Sequence, residues 1–276
     1  MVNILVPTDF SDLSKVAVQY AAKMANKING NITLLHVITN VFEPMRSDLR
    51  ERIKAAEHDL VIAAEEDFIP VLKEAEKYNR TTNPIVCEIQ KGKSFDDTVK
   101  AFVKKNRSGL IVMGTRGASG LARYVLGSNT VSVLDVSPVP VLAVPEKADF
   151  KTFKNIVYAS DLKHLERELK VLIPYLKMFD STLHVLHVAE KGKDVDEIQN
   201  SIKSTLKKVD YRKSTVTIQV NKKIDVAIDL FVQQLKADLV TMFTHRKSAY
   251  DKLFNRSMTK KMAFQSKVPL LAFKSV

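Results

Sequence analysis

Residues Ile111 to Leu134 read IVMGTRGASGLARYVLGSNTVSVL. The chain has eight glycines in 276 residues, and four of them, Gly114, Gly117, Gly120 and Gly127, fall in this stretch, directly after an apolar run of buried-strand type. Strand, glycine loop and helix in that order build open parallel sheets, whose ligands bind beyond the carboxyl ends of the strands, where neighbouring connections leave to opposite faces. Gly114 ends the strand at such a place. Gly114 and Gly117 are free to take positive φ and to let a ligand approach the backbone, and Gly127 precedes Ser128, Asn129 and Thr130 at a helix start. Unpaired N–H groups and the positive end of a helix favour an anion there. The loop therefore predicts a phosphate cradle, with hydroxyl donors from Ser128 and Thr130 and positive charge from Arg116 or Arg123. Taken as spacing alone, the pattern is equally explained by structural turns and a helix N-cap at Ser128. No G-x4-G-K-[ST] occurs, and VPTDFS after the first apolar run contains no glycine, which excludes a Walker-type loop and disfavours the usual dinucleotide fold.

The stretch also belongs to an internal repeat. NILVPTDFS (Asn3 to Ser11) recurs as NIVYASDLK (Asn155 to Lys163) at an offset of 152, which sets Asp9 against Asp161. LLHV, ending at Val37, recurs as VLHV, ending at Val188, at an offset of 151. GLIVMGTRGAS matches DLVTMFTHRKS, and SPVPVLAVP matches SKVPLLAFK, both at an offset of 129. The fall from 151 to 129 means 22 extra residues in the first half. They sit in a segment whose apolar residues, from Leu49 to Tyr78, recur at three- and four-residue steps and predict a long helix. Pro70 removes a backbone donor, so a kink or break is expected near Ile69. The corresponding helix of the second half, about Val195 to Val209, is shorter.

In each half, short apolar runs alternate with amphipathic stretches. The first-half strands are read at Asn3–Pro7, Asn31–Ile38, Ile85–Gln90, Gly109–Gly114 and Val139–Val144. Helices are read at Ser11–Ile28, the long segment, Phe95–Asn106 and Ser128–Val136. Such alternation implies βαβ units and a parallel sheet buried on both faces. The fold class is α/β, with two tandem Rossmann-like domains expected over residues 1–146 and 153–276 and a polar linker near Pro145 to Lys154.

Composition narrows the function classes. No apolar run approaches the roughly 20 residues that span a bilayer, and MVNILVPTDF lacks a signal-peptide layout, so no membrane contact and a cytoplasmic location are expected. Cys87 has no partner for an internal disulfide and reads as a small apolar side chain. The net charge of +12 is uneven: 19 − 18 = +1 for residues 1–150 and 24 − 13 = +11 for residues 151–276. That excess opens a reading as a module for nucleic acid or another acidic partner. The basic clusters are separated and carry no aromatic platform, which disfavours nucleic acid. No His or Cys spacing suits a metal, and no residue near the loop is an obvious general base, so no catalytic residue is assigned. Two further positions share the expected sheet end. Asp9 can accept from a ribose or a base edge, or cap the following helix, and Val37, a strand-end residue, can offer main-chain N–H and C=O to a base or simply fill the core.

With these pieces in order, the chain resembles the universal stress protein family (UspA-like) in its tandem two-domain form, over essentially its whole length. MGTRGASGLARYVLGSNTVSVL carries the most specific likeness. The resemblance implies five-stranded parallel sheets of order 3-2-1-4-5, with the first domain of the ATP-binding type. It places Pro7, Thr8 and Asp9 beside adenosine and Val37 on the base. Met113, Gly114, Arg116, Gly117, Gly127, Ser128, Asn129 and Thr130 would surround the ribose and phosphates. ATP or another adenine nucleotide is the implied cofactor, with Mg²⁺ as companion to a triphosphate, although no protein carboxylate can be named to hold it. In the second half Gly114, Gly117 and Gly127 become Phe243, Arg246 and Arg256, while Ser128 and Thr130 are kept as Ser257 and Thr259. A degenerate, structural second domain is therefore expected. The family also implies pairing of the two domains through their last strands, with further homodimerisation left open. The leading expectation is a nucleotide-dependent sensor or regulator in the stress response, acting on a protein partner. The alternative is a slow ATP hydrolase or self-phosphorylating enzyme with Ser128 or Thr130 as acceptor.

Overall fold

A computed structural model of the chain describes residues 2–39, 47–115, 128–221, 223–244 and 268–274. The described residues up to Phe150 form one compact unit and those from Lys151 onward a second. The first unit contains β1 (Asn3–Pro7), α1 (Asp12–Ile28), β2 (Asn31–Ile38), α2 (Ser47–Tyr78), β3 (Ile85–Lys91), α3 (Phe95–Asn106), β4 (Leu110–Thr115), α4 (Ser128–Val136) and β5 (Val141–Pro145). Its strands run β3-β2-β1-β4-β5, all parallel. The apolar runs form the middle of the sheet because helices cover both faces, and Leu5, Leu34, Leu35, Ile111 and Val112 are completely buried.

Local chemistry sets the helix ends. Ser11 caps α1 by accepting from the Ser14 amide, and Ser94 caps α3 by accepting from Asp97. Both helices stop on a residue in the left-handed region, Asn29 and Arg107. α2 runs unbroken through Pro70, so the expected break does not occur. Ala64, Phe68, Val71 and Ala75 bury one stripe on both sides of the proline, and that continuous packing holds the helix across the missing donor.

The second unit repeats the plan with β6 (Asn155–Ala159), α5 (Leu165–Phe179), β7 (Thr182–Ala189), α6 (Val195–Lys208), β8 (Ser214–Val220), α7 (Ile224–Leu235), β9 (Leu239–Thr244) and β10 (Leu270–Lys274). Its parallel order is β8-β7-β6-β9-β10, the counterpart of the first. The duplication reaches single dihedral angles. Phe10, Asn29 and Arg107 have positive φ, and so do their counterparts Leu162, Asp180 and Lys236. Cys87 is half-buried, and burial followed by the nearby Glu76 charge pushes its thiol up, as suits a packing role rather than a reactive one.

The junction near Pro145 to Lys154 was expected as a polar linker, yet it carries two anchored aromatics. Phe150 packs edge-on to Tyr20 at 5.3 Å in the first unit, and Phe153 packs against Phe179 at 4.8 Å in the second. Phe153→Ala should destabilise the second unit by about 3–5 kcal/mol, as for other buried aromatics. A urea titration followed by fluorescence and circular dichroism checks this; a true linker residue would change stability by less than about 0.5 kcal/mol.

Candidate functional site

At the switch point β1 stops before its neighbour. The last β1–β2 pair is Pro7 with Leu35, and the Thr8 N–H closes the ladder on the Leu35 carbonyl at 2.8 Å. β2 continues to Ile38 along β3. Residues two apart in a strand direct their main-chain groups to the same side, so Val37 sends its N–H and C=O where Leu35 does, toward the space beyond the end of β1. The Gly92 amide bonds Ile38 O on the opposite side, consistent with that alternation. Val37 is only half-buried, so it is not a core valine. Pro7 is the buried end of β1.

The turn that follows is held by its own polar groups. Thr8 is 4% exposed; its hydroxyl accepts from the Phe10 N–H at 3.0 Å and donates to Ser14 Oγ at 3.0 Å. Ser14 Oγ in turn donates to the Ser11 carbonyl at 2.8 Å. These bonds support the positive φ of 63° at Phe10, a strained setting for a bulky residue. The Phe10 ring stacks on His36 at 4.6 Å and meets Phe68 edge-on at 5.1 Å. His36 Nδ1 lies 2.9 Å from the Thr8 carbonyl, and since a carbonyl only accepts, Nδ1 carries the proton. Asp9 is exposed at the sheet end and accepts from the Ser11 amide at 3.1 Å and the Ser11 hydroxyl at 2.6 Å. Burial pushes its carboxyl up, but the bonds from Ser11, with a further one from Ser14, outweigh it and hold the group below the ordinary carboxylate range. Ser11, not Asp9, is the cap of α1. The sequence gives no role in this turn to His36, Phe10 or Ser14; the available signal is that Phe10 and His36 lie inside the repeated VPTDFS and LLHV and that Ser14 follows three residues after the first.

Gly114 lies inside β4, and Gly192 alone among the described glycines has positive φ. The expected left-handed turn at Gly114 is therefore corrected. What the position needs is space: a Cβ there would stand 2.3 Å from the Leu13 carbonyl oxygen, in the first turn of α1. Thr130 is 3% exposed and its hydroxyl donates to the Gly114 carbonyl at 3.1 Å, tying the start of α4 to the end of β4. That hydroxyl was expected as a ligand donor and is engaged in the scaffold. Met113 is buried in β4 beside Ala143, and Asn129 is exposed in the first turn of α4, which Ser128 opens. The structure thus brings Asp9, the Val37 main chain, Gly114 and the amino end of α4 to one end of the sheet. Arg116, Gly117, Gly127 and Arg123 lie outside the described residues. Among the described residues no group of three or more His, Cys, Asp or Glu side chains is placed to hold a metal ion. No described helix is long and apolar enough to cross a membrane.

The family model described as the universal stress protein family matches residues 1–145, and the chain belongs to that family. The universal stress protein Slr1230 of Synechocystis sp. is 25% identical over 301 aligned residues, covering 99% of this chain and 100% of that protein. The universal stress protein MJ0531 of Methanocaldococcus jannaschii is 30% identical over 148 residues, covering 51% of this chain and 81% of that protein. A crystal structure of a universal stress protein from Archaeoglobus fulgidus shares the fold at a TM-score of 0.73, with 21% identity, over 99% of this chain and 98% of that one.

Gly114→Ala should cost about 1–3 kcal/mol of stability without any ligand present, measured by urea unfolding, because a backbone carbonyl cannot yield as a flexible side chain would. Asp9 ionises more readily in the folded state than unfolded. Its contribution is therefore complete above the unfolded value near 3.8 and is lost as pH falls through the lower folded value. Asp9→Asn should flatten the fall of the urea midpoint below about pH 4.

Proposed function

We propose that the first unit binds an adenine nucleotide, ATP first among them, at the carboxyl ends of β1, β2 and β4, and that occupancy changes the surface offered to a protein partner in the stress response. The observation that carries this reading is the Val37 main chain, aimed past the end of β1. An adenine edge presents one acceptor and one donor side by side, which an N–H and a C=O of one strand residue complement. Asp9 stands at the same end as an acceptor for a ribose hydroxyl. The amino end of α4, a helix of nine residues, supplies N–H groups for the anionic tail. A Mg²⁺ ion accompanying a triphosphate would rest on the phosphates themselves. The +11 charge of residues 151–276 supports an acidic surface on the partner.

Isothermal titration of the full chain with ATP tests this. Val37→Pro deletes the N–H without removing a ladder bond and should weaken ATP at least tenfold, about 1.4 kcal/mol. GTP, whose base reverses donor and acceptor at that edge, should bind at least tenfold more weakly than ATP. Unchanged affinity in a folded Val37→Pro variant contradicts the reading. Phosphate release beyond one turnover would instead favour the hydrolase, against which the buried, bonded Thr130 hydroxyl argues as acceptor.

A further inference from the structure

The second unit holds a cavity of about 920 Å³ at the carboxyl ends of β6, β7, β8 and β9. Its scaffold repeats the first unit. The Ser160 N–H closes on the Leu186 carbonyl at 3.0 Å, His187 Nδ1 lies 2.9 Å from the Ser160 carbonyl, and Leu162 has φ of 67°. The wall is largely apolar, formed by Leu186, Ile198, Ile224, Ile228, Met242 and Phe243. Val220, at the edge, is 54% exposed, where the repeat places Lys91 of the first unit.

Two replacements distinguish this cavity from its counterpart. Phe243 occupies the position of Gly114 and stacks on Phe273 at 4.8 Å, so an aromatic side chain stands where the first unit has none. By the offset of 152, α5 begins one residue later than α1, and His164 makes no side-chain cap bond. The second replacement is a buried acid. Glu168 is 3% exposed, lies on the apolar face of α5 with Leu165, Leu169 and Leu172, and forms part of the cavity wall. At offsets of 151 and 152 it falls on Ala17 and Val16, neither of them titratable. Tyr158, where the first unit has Val6, donates its hydroxyl to Glu168 Oε2. Ser160 Oγ donates to that hydroxyl at 3.0 Å and receives the Leu162 N–H at 3.1 Å. Each donor in this run of hydrogen bonds, from the Leu162 N–H through Ser160 Oγ to the Tyr158 hydroxyl, points toward the carboxylate. Burial, and then the Glu168 charge, push the Tyr158 hydroxyl well above its usual range, so it remains a donor.

A carboxylate held in an apolar wall is stabilised by a positive or donating group and repels phosphate. The mouth carries both signs, Asp161 and Glu190 beside Lys163, Lys191 and Lys193, so the deep carboxylate sets the preference. We propose that the second unit is a binding site for a small apolar amine without phosphate groups, its ammonium at Glu168 and its apolar body among Leu186, Ile198, Ile224, Ile228 and Met242. The second unit is then a separate receptor rather than a structural copy.

Titration calorimetry of the full chain with tryptamine, indole-3-acetate and adenosine provides the test. Tryptamine should bind one per chain, and indole-3-acetate, with the same ring and the opposite charge, at least tenfold more weakly. Glu168→Gln should weaken tryptamine at least tenfold, and Ile198→Trp, which fills the cavity from α6, should abolish its binding. ATP affinity should stay unchanged in both variants, and Val37→Pro should leave tryptamine untouched, so each unit's site succeeds or fails independently. If Glu168→Gln does not fold by circular dichroism, the amine-to-acid ratio and Ile198→Trp decide. The proposal is overturned if tryptamine does not bind at millimolar concentration, if the acid binds as well as the amine, if adenosine binds the second unit more tightly, or if folded Glu168→Gln keeps full affinity.

Discussion

The first unit depends on one close approach, that of the end of β4 to the first turn of α1. A glycine at position 114 is what lets the backbone pass beside the Leu13 carbonyl, since any Cβ would overlap it. Around that contact the rest is arranged. Ser11 caps α1, Thr8 and Ser14 brace the turn, and Thr130 brings the start of α4 to the Gly114 carbonyl. β1 ends short of β2, leaving the Val37 main chain facing a space with an acidic side chain at one rim and a helix amino end at another. The glycine is a packing device, and the open carboxyl end of the sheet is a consequence of the packing.

The second unit shows what happens when that device is removed from an otherwise equal scaffold. Strand order, left-handed helix ends and the His187 to Ser160 contact are all retained. Phe243 stands where Gly114 stood, α5 starts one residue later, and a Tyr158 to Glu168 pair occupies ground held by Val6 and small apolar residues. A duplicated chain can thus keep its frame, which is set by long-range strand pairing, while the chemistry of the cavity is changed by a few side chains at the strand ends.

Much of this was legible because strands buried on both faces and capped helices leave strong local patterns. β1, β2, α3 and α4 fall where the apolar runs and the amphipathic stretches Phe95–Asn106 and Ser128–Val136 place them. The internal offsets carry the correspondence of the halves. The continuity of α2 through Pro70 was not legible, because it rests on a buried stripe supplied by the rest of the unit rather than on local propensity. The reason for Gly114 is not legible for a similar cause: sequence reveals a missing side chain but not which neighbour needs the room. Glu168 carries a local signal too, an acid at an inward step between Leu165, Leu169 and Leu172.

The central claim is that one strand residue's main chain reads the ligand in the first unit, and amide exchange at that residue addresses it directly. With protein labelled at valine, hydrogen exchange of the Val37 and Val188 amides can be followed by NMR with and without saturating ATP. The account predicts that ATP slows exchange at Val37 and leaves Val188 as it was. Saturation by ATP with the Val37 amide unaffected, or with protection at Val188 instead, would contradict it.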